Sequence, residues 1–510
     1  MGIISIAVLF IAAVIITFEI IRALSRGVRK SVITLVSVFI STFLAILITF
    51  IAADPFINAA IKVLDRVPGL DVLYDRFPHF EQVAFAYADA LISPILFVML
   101  FIFIRLILAI VFAIVFKVKS KRVGNKEYED EDAPAYKKKP RLISAIIGTV
   151  SGFLVSVILF TPVIGTLKIA TVATTKINES ADAFTFRINA KTSKVFKSLS
   201  NDIAGNVFYY AGGVLIYKST ASSTLNDNHF ELESEIANSL DGIDDLLNVG
   251  IIVSDLEKAT PEQKDSLLSV GEKINSAETL KNVGADFIND LSAKWLKDGK
   301  YYEVPKPKIG TACSMFFDRM LYVCTESTTD SVGDDVSTLL AVFLIADENK
   351  ILNCEDYKTL IEISNNTGAF NEIKAELEKN PRMKGVSNEV DTMAIRAVAS
   401  AITQFTPEQY ESITTDVVSV LNDARKKYRN KEERIDYITA ELESRINDHD
   451  IDVGEDIARE VSEKLVSEIL DTTHKVKEEE VIKFWDKHTW TQRVDVPVLT
   501  PENGNNNVVV

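Results

Sequence analysis

Apolar residues are not spread evenly along this chain. Four long runs, residues 3–21, 31–53, 91–116 and 142–165, dominate its first third. Each can cross a hydrocarbon layer of about 30 Å as a helix of about 20 residues. From residue 173 onward the pattern changes to short apolar stripes at helical spacing. Ile435, Ile438, Leu442 and Ile446 form one stripe; Ile457, Val461 and Leu465 form another. The pattern predicts an all-α protein, with a four-helix transmembrane bundle in residues 1–172 and a mostly α-helical soluble domain in 173–494. Residues 495–510 carry Pro, Asn and Gly without periodicity and are expected to be a disordered tail.

Polar punctuation refines this. Thr260-Pro261-Glu262-Gln263 and Thr406-Pro407-Glu408-Gln409 each place an N-cap Thr before a Pro at the first helical position. The two copies mark either a duplicated subdomain or a common helix opening met twice. Residues 206–216 and 338–345 are apolar runs that fit a strand or a buried helix equally well. Residues 221–229 read as a Ser/Asn/Thr loop. Residues 297–308, with Asp298-Gly299, Pro305 and Pro307, read as a break that divides the second domain into halves.

Charge assigns sides to the runs. Residues 22–30 hold Arg22, Arg26, Arg29 and Lys30 and no acid, with Gly27 in their midst, and residues 117–141 hold nine basic residues. Short basic loops stay in the cytoplasm. The connector 54–90 has three basic and six acidic residues and belongs outside. The first run has no basic segment before it and no small-residue cleavage site after it, so it is not a cleaved signal peptide. Both termini are therefore expected outside. The formal net charge of −16 is divided unequally: residues 1–172 hold 18 basic and 12 acidic side chains, residues 173–510 hold 37 and 59. An acidic domain argues against nucleic acid as a partner, because phosphates require Lys and Arg.

Three features of the apolar block could carry function. Arg105 lies near the middle of the third run and Glu19 near the inner end of the first. A charge at such depth needs a partner or water. The two form a structural pair, or line an ion or substrate path, or Arg105 extends to the inner interface. Gly148 and Gly152 have the small-xxx-small spacing that brings helix backbones close, within the bundle or in a homo-oligomer. The stretch Arg22, Arg26, Gly27, Arg29 and Lys30 is a topogenic turn that can also hold anionic lipid.

Arg26-Gly27-Val28-Arg29, followed by a second run and then by Arg141 leading into Gly148-Thr149-Val150-Ser151-Gly152, resembles the colicin V production protein family. The resemblance covers about residues 1–167. Where that family often carries an Asp before its last Gly-rich helix, this chain has Lys139-Pro140-Arg141. The resemblance implies a bacterial cytoplasmic-membrane protein tied to toxin export or envelope upkeep, with no chemistry to carry over.

In the second domain, Asp448, Asp450 and Asp452 alternate before Gly454, as carboxylates do in a calcium loop. Arg459 stands where the bidentate Glu would be. A solvated turn favouring the next helix N-terminus is the alternative. No G-x-S-x-G, H-E-x-x-H, P-loop or G-x-G-x-x-G occurs, so neither an enzyme nor a cofactor is expected. His474 and His488 are expected to face solvent. Cys313 and Cys324 could pair in an oxidising compartment, leaving Cys354 free; otherwise all three are ordinary thiols. Phe484, Trp485 and Trp490 suit a helix docked on its own domain or a partner-binding patch. The leading expectation is a membrane anchor that presents a helical domain to envelope or secretion partners. The alternatives are a transporter component built on Glu19 and Arg105, and a membrane-tethered hydrolase with an unfamiliar site.

Overall fold

Long apolar runs without turn residues have few ways to satisfy their backbone other than as helices. The computed structural model describes residues 3–64, 77–122, 138–179, 214–366, 368–390, 392–470 and 474–489, with residues 74, 207–208 and 210–211 besides. Trp490 and the expected disordered tail, 495–510, lie outside the described residues, as does most of the basic segment 117–141. The described chain is overwhelmingly helical, with two short antiparallel hairpins. It divides into two compact units. The first comprises Met1–Asn248, Glu272–Phe287 and Thr328–Gly333, and the second Val249–Gly271, Ile288–Ser327 and Asp334–Val510. The described residues between 173 and 248 thus fall in one unit with the apolar block, and 297–308 lie inside the second unit.

The four expected runs fall on three helices, α1 (Ile3–Leu64), α2 (Phe80–Arg122) and α3 (Lys138–Glu179), all long and apolar enough to cross a membrane. No loop occupies residues 22–30. Helix continues on both sides of one residue, Gly27, at φ 75° and ψ 168°. That conformation belongs almost wholly to glycine. The Ser31 hydroxyl donates to the carbonyls of Gly27 at 2.9 Å and Ala23 at 3.1 Å. Residues eight apart in an unbroken helix lie about 12 Å from each other, so the chain reverses at Gly27. Nor does α1 end at Asp54-Pro55; it runs to Leu64 with Pro55 inside it. Helix α2 starts 11 residues before the third run, because its polar first turns are as helical as the apolar part.

Packing inside the block combines small residues with large ones. Val38 and Ala45 of α1 share a core with Phe97, Phe101 and Ile104 of α2 and Val155 and Ile158 of α3. Other large side chains point the other way: Ile51 is 75% and Phe10 68% exposed. Four of the hydroxyls are satisfied within their own helix. Thr42, Thr49, Ser156 and Thr161 each donate to the carbonyl four residues back at 2.5–2.8 Å, which removes the cost of an unpaired polar group.

The first unit continues beyond the apolar helices. The short helix α4 (Val214–Thr220) leads into β1 (Ser222–Leu225) and β2 (Asn228–Glu231), joined at Asn226 and Asp227 with φ of 51° and 64°. Two positive φ values make a two-residue hairpin turn, so residues 221–229 are a hairpin rather than a loop. Tyr217, Leu225 and Phe230 bury themselves against Val83, Ala86 and Ile164. Then come α5 (Leu232–Ser254), α6 (Pro261–Asn275) and α7 (Glu278–Asp298), the small hairpin β3 (Lys300–Tyr301) and β4 (Val304–Pro305), and α8 (Ser314–Cys324). Residues 338–345 belong to a buried helix, α9 (Val332–Glu348). The rest of the second unit comprises α10 (Tyr357–Asn366), α11 (Ala369–Lys379), α12 (Lys384–Val390), α13 (Met393–Thr403), α14 (Pro407–Lys427), α15 (Lys431–Asn447), α16 (Glu455–Glu468) and α17 (Glu478–His488).

Both Thr-Pro-Glu-Gln openings form reciprocal caps. Thr406 accepts from the Gln409 N–H at 3.3 Å while Gln409 accepts from the Thr406 N–H at 3.2 Å, and Thr260 and Gln263 do the same. The stripes Ile435/Ile438/Leu442/Ile446 and Ile457/Val461/Leu465 are buried. One buried carboxylate ties three segments together: Asp335 accepts from Ser327 at 2.7 Å and Asn380 at 2.9 Å, with Arg382 at 3.5 Å.

Candidate functional site

The two charges expected to meet within the apolar block do meet. Arg105 Nη2 lies 2.5 Å from Glu19 Oε1, and Arg22 Nη1 lies 3.3 Å from the same oxygen. The Glu19 side chain is 6% exposed, against 16% for Arg105 and 22% for Arg22. A carboxylate this buried is held by two guanidinium groups, one a turn along α1 and one from α2. Phe101 lies under Arg105, with 6.0 Å from the guanidinium carbon to the ring centroid.

The glycines of α3 explain why Glu19 can sit there. A Cβ on Gly148 would lie 2.8 Å from the Glu19 carbonyl oxygen and 2.8 Å from the Ala23 Cβ. One on Gly152 would lie 2.7 Å from the Ile16 Cα. Of the two uses open to a small-xxx-small pair, the chain's own α1 takes it. The space beside the carboxylate, bounded by Ala23, Ser31, Gly148 and Ser151, is a cavity of about 10 Å³. That is the size of a single water site. The surroundings of Glu19 are therefore close-packed, as a structural pair requires.

Other residues of the first unit join the apolar helices to the polar elements beside them, and only the structure brings them out. Asp89 of α2 accepts from Ser93 and from Ser223 of β1, both at 2.8 Å. Asp286 of α7 accepts from the His79 N–H at 2.9 Å and faces its Nδ1 at 2.6 Å. Thr279 donates to Tyr87 Oη at 3.0 Å. The one sequence signal is that His79, Tyr87 and Asp89 stand just before the third apolar run.

In the second unit the calcium reading turns on Asp448, Asp450 and Asp452. Among the described residues no three His, Cys, Asp or Glu side chains are grouped to hold a metal, and this includes Asp448, Asp450 and Asp452. The loop is organised by amides instead. Asn447 accepts from the Val453 N–H at 2.8 Å, and Asn365 donates to the Asp452 carbonyl at 2.6 Å. Arg459 binds Asp436 at 2.9 Å and Glu432 at 3.3 Å, both on α15, so its face is occupied by ion pairs.

The three cysteines are free and buried. Cys313 and Cys324 flank and end α8, whose 11 residues span about 16 Å, whereas a disulfide needs Cα atoms within about 7 Å. Burial pushes all three thiols up, Cys354 to about 11 with help from Asp356 and Glu355. Neutral thiols are poor nucleophiles. His474 faces solvent and meets Glu480 at 2.9 Å, but His488 is buried, 3.2 Å from Glu468. Phe484 and Trp485 are buried too, so α17 docks on its own unit.

No family model, curated protein or solved structure matches this chain.

Proposed function

We propose that this chain is an integral protein of a bacterial cytoplasmic membrane, of the colicin V production type. In this reading it crosses four times and presents a helical partner-binding domain outside the cytoplasm, with a role in toxin export or envelope homeostasis. The observation that carries the proposal is the reversal at Gly27. It splits a 57-residue apolar span into two arms, each long enough to cross a bilayer. With α2 and α3 this makes an even number of crossings. Two further observations support it. Many large apolar side chains, among them Phe10, Phe43, Phe103 and Leu106, are exposed along α1 and α2, as they are on helices that face lipid. The basic residues cluster at Arg22–Lys30 and at 117–141, two segments that four crossings place on one side.

The close packing around Glu19 favours an architectural pair over a path. The test is protease digestion of intact, wall-stripped cells carrying an epitope after Val510. Digestion from outside supports four crossings and directs capture of partners to the envelope. Protection until lysis overturns the orientation and makes the partners cytosolic.

A further inference from the structure

Beside the Glu19 cluster, on the face toward Gly27, a second pocket opens between the two arms of α1 and helix α2. Its volume is about 180 Å³, and every charged residue lining it is basic: Arg22, Arg26, Lys30 and Arg105. Ser37 and Thr34 add hydroxyls, and no acidic side chain lines it among the described residues. The Glu19 carboxylate is shared by Arg22 and Arg105. Four cations converging on one concavity have a large mutual repulsion that a bound anion relieves. Guanidinium groups match the paired oxygens of a phosphate.

The other half of the pocket is apolar. Ile33, Ala109, Phe112 and Ala113 line it. Beyond them Val32 and Val36 on α1 and Leu106 and Ile110 on α2 are exposed. A ligand that fits must carry a phosphate at one end and hydrocarbon that continues along these helix faces. A soluble phosphate satisfies only the first half.

We propose that this pocket binds the phosphate of an acidic phospholipid headgroup, with the acyl chains lying against α1 and α2. The lipid then completes the bundle by neutralising the basic end of the Glu19 cluster. This goes beyond the partner-binding reading and does not depend on which side of the membrane the pocket faces.

The test uses the full chain, purified in detergent, delipidated and titrated with phosphatidylglycerol or phosphatidylcholine by native mass spectrometry. The expected result is at least a tenfold preference for phosphatidylglycerol. Arg26→Gln combined with Lys30→Gln should remove that preference. Ala113→Phe, which fills the pocket and leaves its charges intact, should remove it as well. Arg29→Gln, a cation outside the pocket, should leave it unchanged. Should the double variant fail to fold, Ala113→Phe still reads the site. Equal binding of the two lipids overturns the proposal, as does a preference that survives Ala113→Phe. Pocket-dependent binding of inorganic phosphate without phosphatidylglycerol binding overturns the lipid assignment in favour of a soluble phosphate.

Discussion

The apolar helices and the second unit use the same backbone element under opposite packing rules. In α1, α2 and α3 Gly148, Gly152 and Ala45 permit close approach around a core that includes Phe97 and Phe101, while Phe10, Phe18, Phe43 and Phe50 point away from the bundle. In the second unit Phe316, Phe317, Phe343 and Leu421 are interior, and acids and lysines cover the outside. Burying hydrocarbon gains nothing where the surroundings are themselves hydrocarbon, so close approach and satisfied polar groups must hold such helices. Where the surroundings are water, burial of large side chains dominates. The difference teaches that a polar residue is cheap in one region and decisive in the other.

That contrast can be broken at four points, taken in falling order of effect. Glu19→Ala leaves the Arg105 charge buried without its partner and should cost about 4 kcal/mol of bundle stability. Denaturant titration of the full chain in detergent measures it. Glu19→Ala combined with Arg105→Leu should recover most of the loss, because removing both charges also removes their desolvation; a double variant as weak as the single one would argue that the pair does more than hold the bundle.

Leu421→Ala makes a cavity in the second unit and should cost about 3 kcal/mol, seen as a lower thermal midpoint. A comparable truncation of exposed Phe43 in α1, 65% exposed, should change the midpoint little in detergent. Gly152→Val acts in the opposite sense from a cavity. It forces a branched side chain toward the Ile16 backbone and should cost about 2 kcal/mol as overpacking, with loss of monodispersity in size-exclusion chromatography as the practical sign.

The smallest effect is one of pH. Burial holds the His488 imidazole below its ordinary value, opposed by Glu468; burial raises Glu468, but bonds from Lys487 and His488 outweigh this and lower it. A histidine depressed on folding takes up its proton more readily when unfolded, and so does a carboxylate depressed on folding. Both therefore stabilise the fold at neutral pH and lose that contribution on acidification, His488 as pH falls below about 6.5 and Glu468 nearer pH 4. The thermal midpoint should fall between pH 7 and 5.5, and His488→Gln should flatten that slope.

Legibility followed the same division. Long hydrophobic runs announced the long apolar helices, and opposite charges at Glu19 and Arg105 announced their pairing, since few other groups in those runs could neutralise either. Helical stripes and Thr-Pro-Glu-Gln caps in the second unit were equally plain. The hairpin at residues 222–231 was hidden. Its strands are mostly polar, its turn is Asn-Asp rather than Asn-Gly, and its stability comes from Leu225 and Phe230 meeting residues more than 50 positions away. The lengths of α1 and α2 were hidden for a related reason: hydropathy marks what lipid tolerates, while helix continues as far as propensity and capping allow. The alternation of Asp448, Asp450 and Asp452 suggested a metal where the loop is held by Asn365 and Asn447, because a spacing of acids does not reveal which way each carboxylate turns.

Gly27 raises a question of handedness. A Cβ placed there would touch nothing within 4 Å, so the turn has room for a side chain. What it lacks is a backbone geometry that an L residue adopts without strain, of the order of 1–3 kcal/mol. Reflected, φ 75° and ψ 168° fall in the broad extended region of L residues. The position is therefore closed by chirality rather than by volume. A D-alanine introduced by semisynthesis would sit in the same turn at ease, and the chain uses its one achiral residue as a stand-in for the mirror-image amino acid it cannot encode.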